Sequence, residues 1–170
     1  MPYVDLNTIH NPATGTVPPA SWGDQVRDNL EFLIDPPTVS AFHSVAVSVA
    51  TATTVALAAN SENFDNNAMH STVTNNSRIT IQTAGRYLFF ASVGFDTGAT
   101  GVRQIVFRIN GGATFGNLQT AGAGGGTIAL STTGSAVLVV GDYVEVLARH
   151  TQGANLDVTL SEFGALFMTR

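Results

Sequence analysis

Between residues 21 and 34 the apolar side chains recur with a helical step. Trp22, Val26, Leu30 and Leu33 are spaced by four, four and three positions, which puts them on one face of a 3.6-residue turn. Ser21 followed by Asp24 has the form of an N-terminal capping box with Asp in the acidic position. Asp35-Pro36-Pro37 stops the helix, because a residue preceding proline is pushed out of the α region. After residue 38 the period changes to two. Segments 42–49, 53–58, 78–82, 87–95, 102–109, 127–132, 135–140, 143–149, 156–160 and 163–168 read as strands, the first with His43, Val45, Val47 and Val49 on one face. Residues 60–76 read as a long polar connection, Asn110-Gly111-Gly112 as a tight turn, and 121–126 as a glycine-rich loop. The segment 102–109 alternates cleanly, with Arg103, Ile105, Phe107 and Ile109 opposing Val102, Gln104, Val106 and Arg108.

No helix signal lies between the strands. That pattern predicts an all-β fold, an antiparallel two-sheet sandwich or jelly roll. It also divides the chain. Residues 1–37 form an N-terminal extended arm, interrupted by Asn11-Pro12, Gly15 and Pro18-Pro19, followed by the amphipathic helix. Residues 38–170 form the β domain. A single helix of this length is marginal alone in water, so its face of Trp22, Val26, Leu30 and Leu33 is expected to attach the arm to something else.

Strand 87–95 is apolar on both faces: Tyr87, Phe89, Ala91, Val93 and Phe95 on one, Leu88 and Phe90 with Ser92 and Gly94 on the other. A strand covered on both sides reads this way. Tyr143 and Leu147 likewise oppose Val144 and Val146 on strand 143–149. One sandwich core takes one face of each strand. Either the arm with its helix covers the surplus or, the preferred reading, copies of the chain do, as an oligomer of closed symmetry.

Composition supports assembly and removes other roles. Apolar residues are 44% of the 170, but charged residues only 11%, less than half the share usual in soluble domains, about 25%. The net charge is −5, there is no Lys, and the seven Arg are dispersed, which is not the basic stripe of a direct nucleic-acid binder. The absence of Cys excludes disulfides, thiolate metal sites and a Cys nucleophile. The first residues show no signal-peptide pattern, no apolar run reaches membrane-spanning length, and no membrane span is expected.

Candidate chemistry is sparse. The run Gly122-Ala123-Gly124-Gly125-Gly126 lacks the Lys and Ser/Thr of a phosphate loop. His10, His43, His70 and His150 have no metal-ligand spacing, and His70 with Glu62 and Asp65 reads as a polar loop of local turns. Asp142 follows Gly141 at a turn, and Glu145 shares a strand face with Arg149, where pairing with neighbouring strands or across a subunit seam is expected. No catalytic residue, metal ligand or cofactor is assigned, and no enzymatic activity is expected.

Three stretches resemble the C1q/TNF-like jelly-roll superfamily. They are Ile79 through Val93, with Ala84-Gly85-Arg86-Tyr87 leading into the aromatic strand; Val137 through Val146, with its Gly141-Asp142 turn; and Ser161-Glu162-Phe163-Gly164-Ala165-Leu166-Phe167. The resemblance spans about residues 40–168. It implies a homotrimer with Tyr87, Phe89, Phe95, Tyr143 and Leu147 facing the partner subunits. There is no Gly-x-y repeat, and the acidic ligands of calcium-binding members are not enriched. Separately, residues 11–33, with the core Trp22-Gly23-Asp24-Gln25-Val26-Arg27-Asp28-Asn29-Leu30-Glu31-Phe32-Leu33, resemble the N-terminal segment of tailed-bacteriophage virion proteins. Together these imply a structural virion protein on the particle surface, a capsid decoration protein whose jelly roll oligomerises while residues 1–37 hold other virion proteins of the capsid or tail. A receptor-binding or glycan-binding knob on a tail or fibre, recognising a host surface glycan, is the alternative.

Overall fold

The computed structural model describes residues 20–169; the segment expected to form an extended arm, with Tyr3, Val4, Leu6 and Ile9, lies outside the described residues. The chain divides into two units, Met1–Pro37 and Thr38–Arg170.

In the first unit a helix, α1, runs Ala20–Ile34. It starts one residue before Ser21, so Ser21 sits within the first turn and the expected capping box does not form. Asp24 instead accepts from Arg27 at 3.0 Å, and the same guanidinium reaches Asp28 at 3.2 Å and Glu31 at 3.8 Å. A cation one, three and four residues from three carboxylates competes well for them. The stop falls at the prolines, where Asp35 N still donates to Glu31 O at 2.9 Å. Trp22, Leu30 and Leu33 are exposed, Leu33 by 71%.

The second unit has eleven strands: β1 Thr38–Phe42, β2 Val47–Val49, β3 Thr54–Ala56, β4 Ser61–Asp65, β5 Arg78–Thr80, β6 Gly85–Phe95, β7 Val102–Ile109, β8 Thr114–Ala121, β9 Ile128–Leu138, β10 Tyr143–His150 and β11 Leu156–Thr169. They form two antiparallel sheets. One has six strands in the order β4-β1-β11-β6-β9, with β2 also on β11; the other has five in the order β3-β10-β7-β8, with β5 also on β10. The two-sheet sandwich with a short helix is the architecture expected from the period-two pattern.

Several details differ from the strand reading, each for a local reason. β4 lies in what reads as a polar connection, since Ser61-Glu62-Asn63-Phe64-Asp65 is an edge strand with no alternation. β8 is an edge strand broken in pattern by Gly116, whose φ of +59° sits where the register with β7 shifts between Ile105 and Phe107. Segments 127–132 and 135–140 belong to one strand, β9, because Gly134 continues the ladder opposite Phe89 rather than turning. The last two segments are also one strand, β11, in which Ser161 is an extra residue at a bulge between Leu160 and Glu162. Residues 43–46 separate β1 from β2 instead of continuing a strand.

The core lies between the sheets. Tyr87, Phe89, Ala91, Val93 and Phe95 of β6, Phe163 and Ala165 of β11, Ile105 and Phe107 of β7, and Val144, Val146 and Ala148 of β10 are all buried. Its aromatic centre is continuous: Phe89 meets Phe107 and Phe115 with ring centroids 6.1 and 5.7 Å apart, Phe107 stacks on Phe163 at 6.2 Å, and Tyr87 meets Phe167 edge-on at 5.4 Å.

Candidate functional site

The five residues expected at a subunit seam are not one surface. Tyr87, Phe89 and Phe95 are 0% exposed within a single chain. They fill the sandwich, so they offer no area to a partner subunit. The Tyr87 hydroxyl donates to Thr83 O at 2.7 Å, and burial pushes its pKa up to about 12. Tyr143 and Leu147 belong to the other sheet, on the face opposite its core residues Val144, Val146 and Ala148, and Leu147 is itself buried within the chain. The two-face pattern of β6 was legible; which face meets the second sheet was not.

The other face of β6 forms an apolar outer surface on the six-stranded sheet. Leu88 pairs with Leu166 of β11 and Ser135 of β9, and Phe90 with Gly164 and Thr133. Phe64 is brought alongside through Ser40, which pairs with both Gly164 and Phe64. The Phe90 ring lies across Gly164, where a Cβ would come within 2.6 Å of Phe90 Cε2 and of Val39 O. Only glycine lets the ring lie flat there. Leu166, Phe64, Met168 and Val137 are exposed by 38, 53, 54 and 69%. Among the described residues of the paired rows, Arg86, Asp157 and Glu162 are the charges on this face; Asp157 lies at its far end beside Ser48, and Glu162 is tied down by Ser40 Oγ at 3.0 Å. Leu166 sits in a segment read as a strand, but only its pairing with Leu88 shows that it lies on this surface; Met168 follows at the register shift between Phe167 and Thr169.

The outer face of the five-stranded sheet has opposite chemistry. Glu145 of β10 lies between Arg108 of β7 and Arg78 of β5 in the strand ladder. Arg108 donates to Glu145 Oε2 from Nη2 at 2.7 Å and Nε at 3.2 Å. Ser77 Oγ donates to Oε1 at 3.0 Å, and Arg78 Nε reaches the same oxygen at 3.5 Å. Burial of Glu145 opposes its ionisation, but the bonds from Arg108 and Ser77 and the charges of Arg108 and Arg78 outweigh it and hold the carboxyl below its ordinary range. The Arg78 guanidinium also covers the Tyr143 ring at 4.0 Å. Thus the Glu145 side chain pairs with neighbouring strands, whereas the Arg149 guanidinium makes no hydrogen bond among the described residues. Asp142 holds its turn, accepting from Val139 N at 2.9 Å and Asn110 Nδ2 at 2.7 Å, and these bonds lower its pKa.

Two further groups complete the inventory. Arg103, on the clean apolar face of segment 102–109, is fully buried. Its guanidinium donates to Gly98 O and Thr100 O at 3.0 Å and to Gln152 Oε1 at 2.9 Å, tying two loops together, and desolvation lowers its pKa. The His70 ring is bonded between Glu62 Oε1 at 2.8 Å and Asn76 O at 3.1 Å, while Asp65 accepts its backbone N–H at 2.8 Å. Among the described residues no group of three or more His, Cys, Asp or Glu is placed to hold a metal ion, and no helix is long and apolar enough to cross a membrane.

The fold has known counterparts. No family model matches the chain, and no curated protein matches it in sequence. Solved structures do match. The globular domain of zebrafish complement 1qA aligns with a TM-score of 0.51 and 15% identity over 79% of this chain and 98% of its own. Murine APRIL aligns in crystals at pH 8.0 and pH 5.0 with TM-scores of 0.59 and 0.58 and 14% identity, over 78% of this chain and 98% of APRIL. The β domain therefore has the C1q/TNF-like jelly-roll fold.

Proposed function

We propose that this chain is a structural subunit of a bacteriophage particle. Its jelly rolls associate as a homotrimer through the outer face of the six-stranded sheet, and residues 1–37 attach the assembly to other virion proteins at the particle surface. The role is structural rather than catalytic. The observation that carries it is the outer face itself: Leu88, Phe90, Leu166, Met168 and Val137 together on one side of a sheet, several of them more than a third exposed. Contiguous exposed apolar surface of this kind marks an association site, and its burial is worth roughly 25 cal/mol per Å² before ordering costs. Threefold symmetry follows the superfamily that the chain resembles. Display on a phage capsid follows the resemblance of residues 11–33 to virion N-terminal segments.

Sedimentation of the full chain at micromolar concentration tests the assembly. A trimer that Phe90→Asp converts to a folded monomer supports it; a wild-type monomer sinks it. Attachment is tested by adding Trp22→Asp/Leu30→Asp protein to particles that lack it, followed by electron microscopy. Bound oligomer at unchanged occupancy counts against the helix face of Trp22, Val26, Leu30 and Leu33 as the anchor.

A further inference from the structure

The chain carries a net charge of −5, yet the outer face of the five-stranded sheet concentrates positive charge. Arg78, Arg108 and Arg149 lie on it against one buried carboxylate, Glu145. Glu145 is saturated by Ser77, Arg78 and Arg108, and it engages Arg108 through Nε and Nη2. Arg108 Nη1, both terminal nitrogens of Arg78, and the whole Arg149 guanidinium have no hydrogen-bond acceptor among the described residues. Arg78 and Arg108 are nonetheless held: one lies over the Tyr143 ring, the other is locked on Glu145. Fixed guanidiniums with outward N–H groups are pre-organised for oxyanions.

The spacing limits what fits. Arg149 stands four residues along β10 from Glu145, roughly 13 Å at about 3.3 Å per residue. Between them lies the row of Leu147, itself buried, with Val106 and Ala56; Gln104 and Thr54 pair beside Arg149. Duplex DNA carries a charge about every 1.7 Å of axis, far denser than this surface. A chain with widely spaced acidic groups separated by hydroxyl-rich sugar matches it better.

We propose that this face binds an acidic polysaccharide, with Arg78 and Arg108 taking one carboxylate or sulfate and Arg149, flanked by Gln104 and Thr54, taking another. The inference rests on the proposed assembly in one respect: with the six-stranded sheet at the seam, this face points outward and is presented three times over.

The test is titration calorimetry of the full chain with polygalacturonate, heparin and a single-stranded DNA of equal charge, on wild type and Arg78→Gln/Arg149→Gln. That variant leaves the Arg108–Glu145 pair intact; circular dichroism and sedimentation are read on the same samples. Binding of polygalacturonate or heparin, or both, that falls about tenfold or more in the folded variant supports the site, and the two probes separate carboxylate from sulfate. Equal binding of DNA overturns the polysaccharide assignment. A folded oligomer that binds none of the three, or a variant that binds as wild type, overturns the site and leaves the assembly standing. A monomer that binds overturns the assembly and keeps the site.

Discussion

The two outer faces of the sandwich are built on the same strand geometry and carry opposite chemistry. On the six-stranded sheet, Leu88, Phe90 and Leu166 occupy paired outward positions, and the ring of Phe90 lies on a glycine instead of against a side chain. On the five-stranded sheet, the matching central positions hold Glu145 with Arg78 and Arg108 across the ladder. The first face leaves apolar surface in water. The second satisfies its one buried charge from its own strands and turns spare donors outward. In the proposed assembly the two sheets divide labour, one holding copies and the other meeting solvent or ligand.

The comparison breaks most sharply at Phe90. Phe90→Asp places a carboxylate in the centre of the apolar face, and the association constant is expected to fall at least about a thousandfold, since a desolvated unpaired charge costs several kcal/mol. Sedimentation equilibrium measures it; an unchanged mass would show that this face is not the seam. Arg108→Ala is the counterpart on the other sheet. It leaves Glu145 buried with only the 3.5 Å contact from Arg78 and the Ser77 hydroxyl, and about 3 kcal/mol of folding stability is expected to go, read by urea denaturation. Oligomer mass of the remaining folded protein should not change.

Gly164→Ala sharpens the contrast from the apolar side. Its Cβ meets the Phe90 ring and the Val39 carbonyl, so a loss of about 2 kcal/mol is expected together with weaker association. The pH response belongs to the charged side. Glu145 is held below its ordinary 4.5 in the folded state, so its contribution is complete above that value and is lost as the pH falls through the lower folded value. The stability gap between wild type and Glu145→Gln is expected to close in acid, and a gap that widens below pH 4.5 would contradict the assigned direction. The smallest effect is Tyr87→Phe, which removes only the bond to Thr83 O and is expected to cost about 1 kcal/mol in thermal melts without touching either face.

Much of this protein follows from local pattern. Helix α1 stops at Asp35-Pro36-Pro37 because proline dictates it, and the alternation of 87–95, 102–109 and 143–149 marks three central strands because one face of each meets a core. The resemblance to the C1q/TNF-like jelly roll was legible for the same reason, since its aromatic strand and Gly141-Asp142 turn are short-range features. Edge strands β4 and β8 were not legible, because a strand with solvent on one side and no neighbour on one edge needs no apolar alternation. Nor was the choice of face. A period of two separates Tyr87 and Phe89 from Leu88 and Phe90 but carries no sign telling which side the second sheet takes; only packing on Phe107 and Phe163 decides it. The charged face is the extreme case. Arg78 and Glu145 are 67 positions apart and Arg108 and Glu145 37 apart, so their contact exists only once β5, β7 and β10 lie side by side.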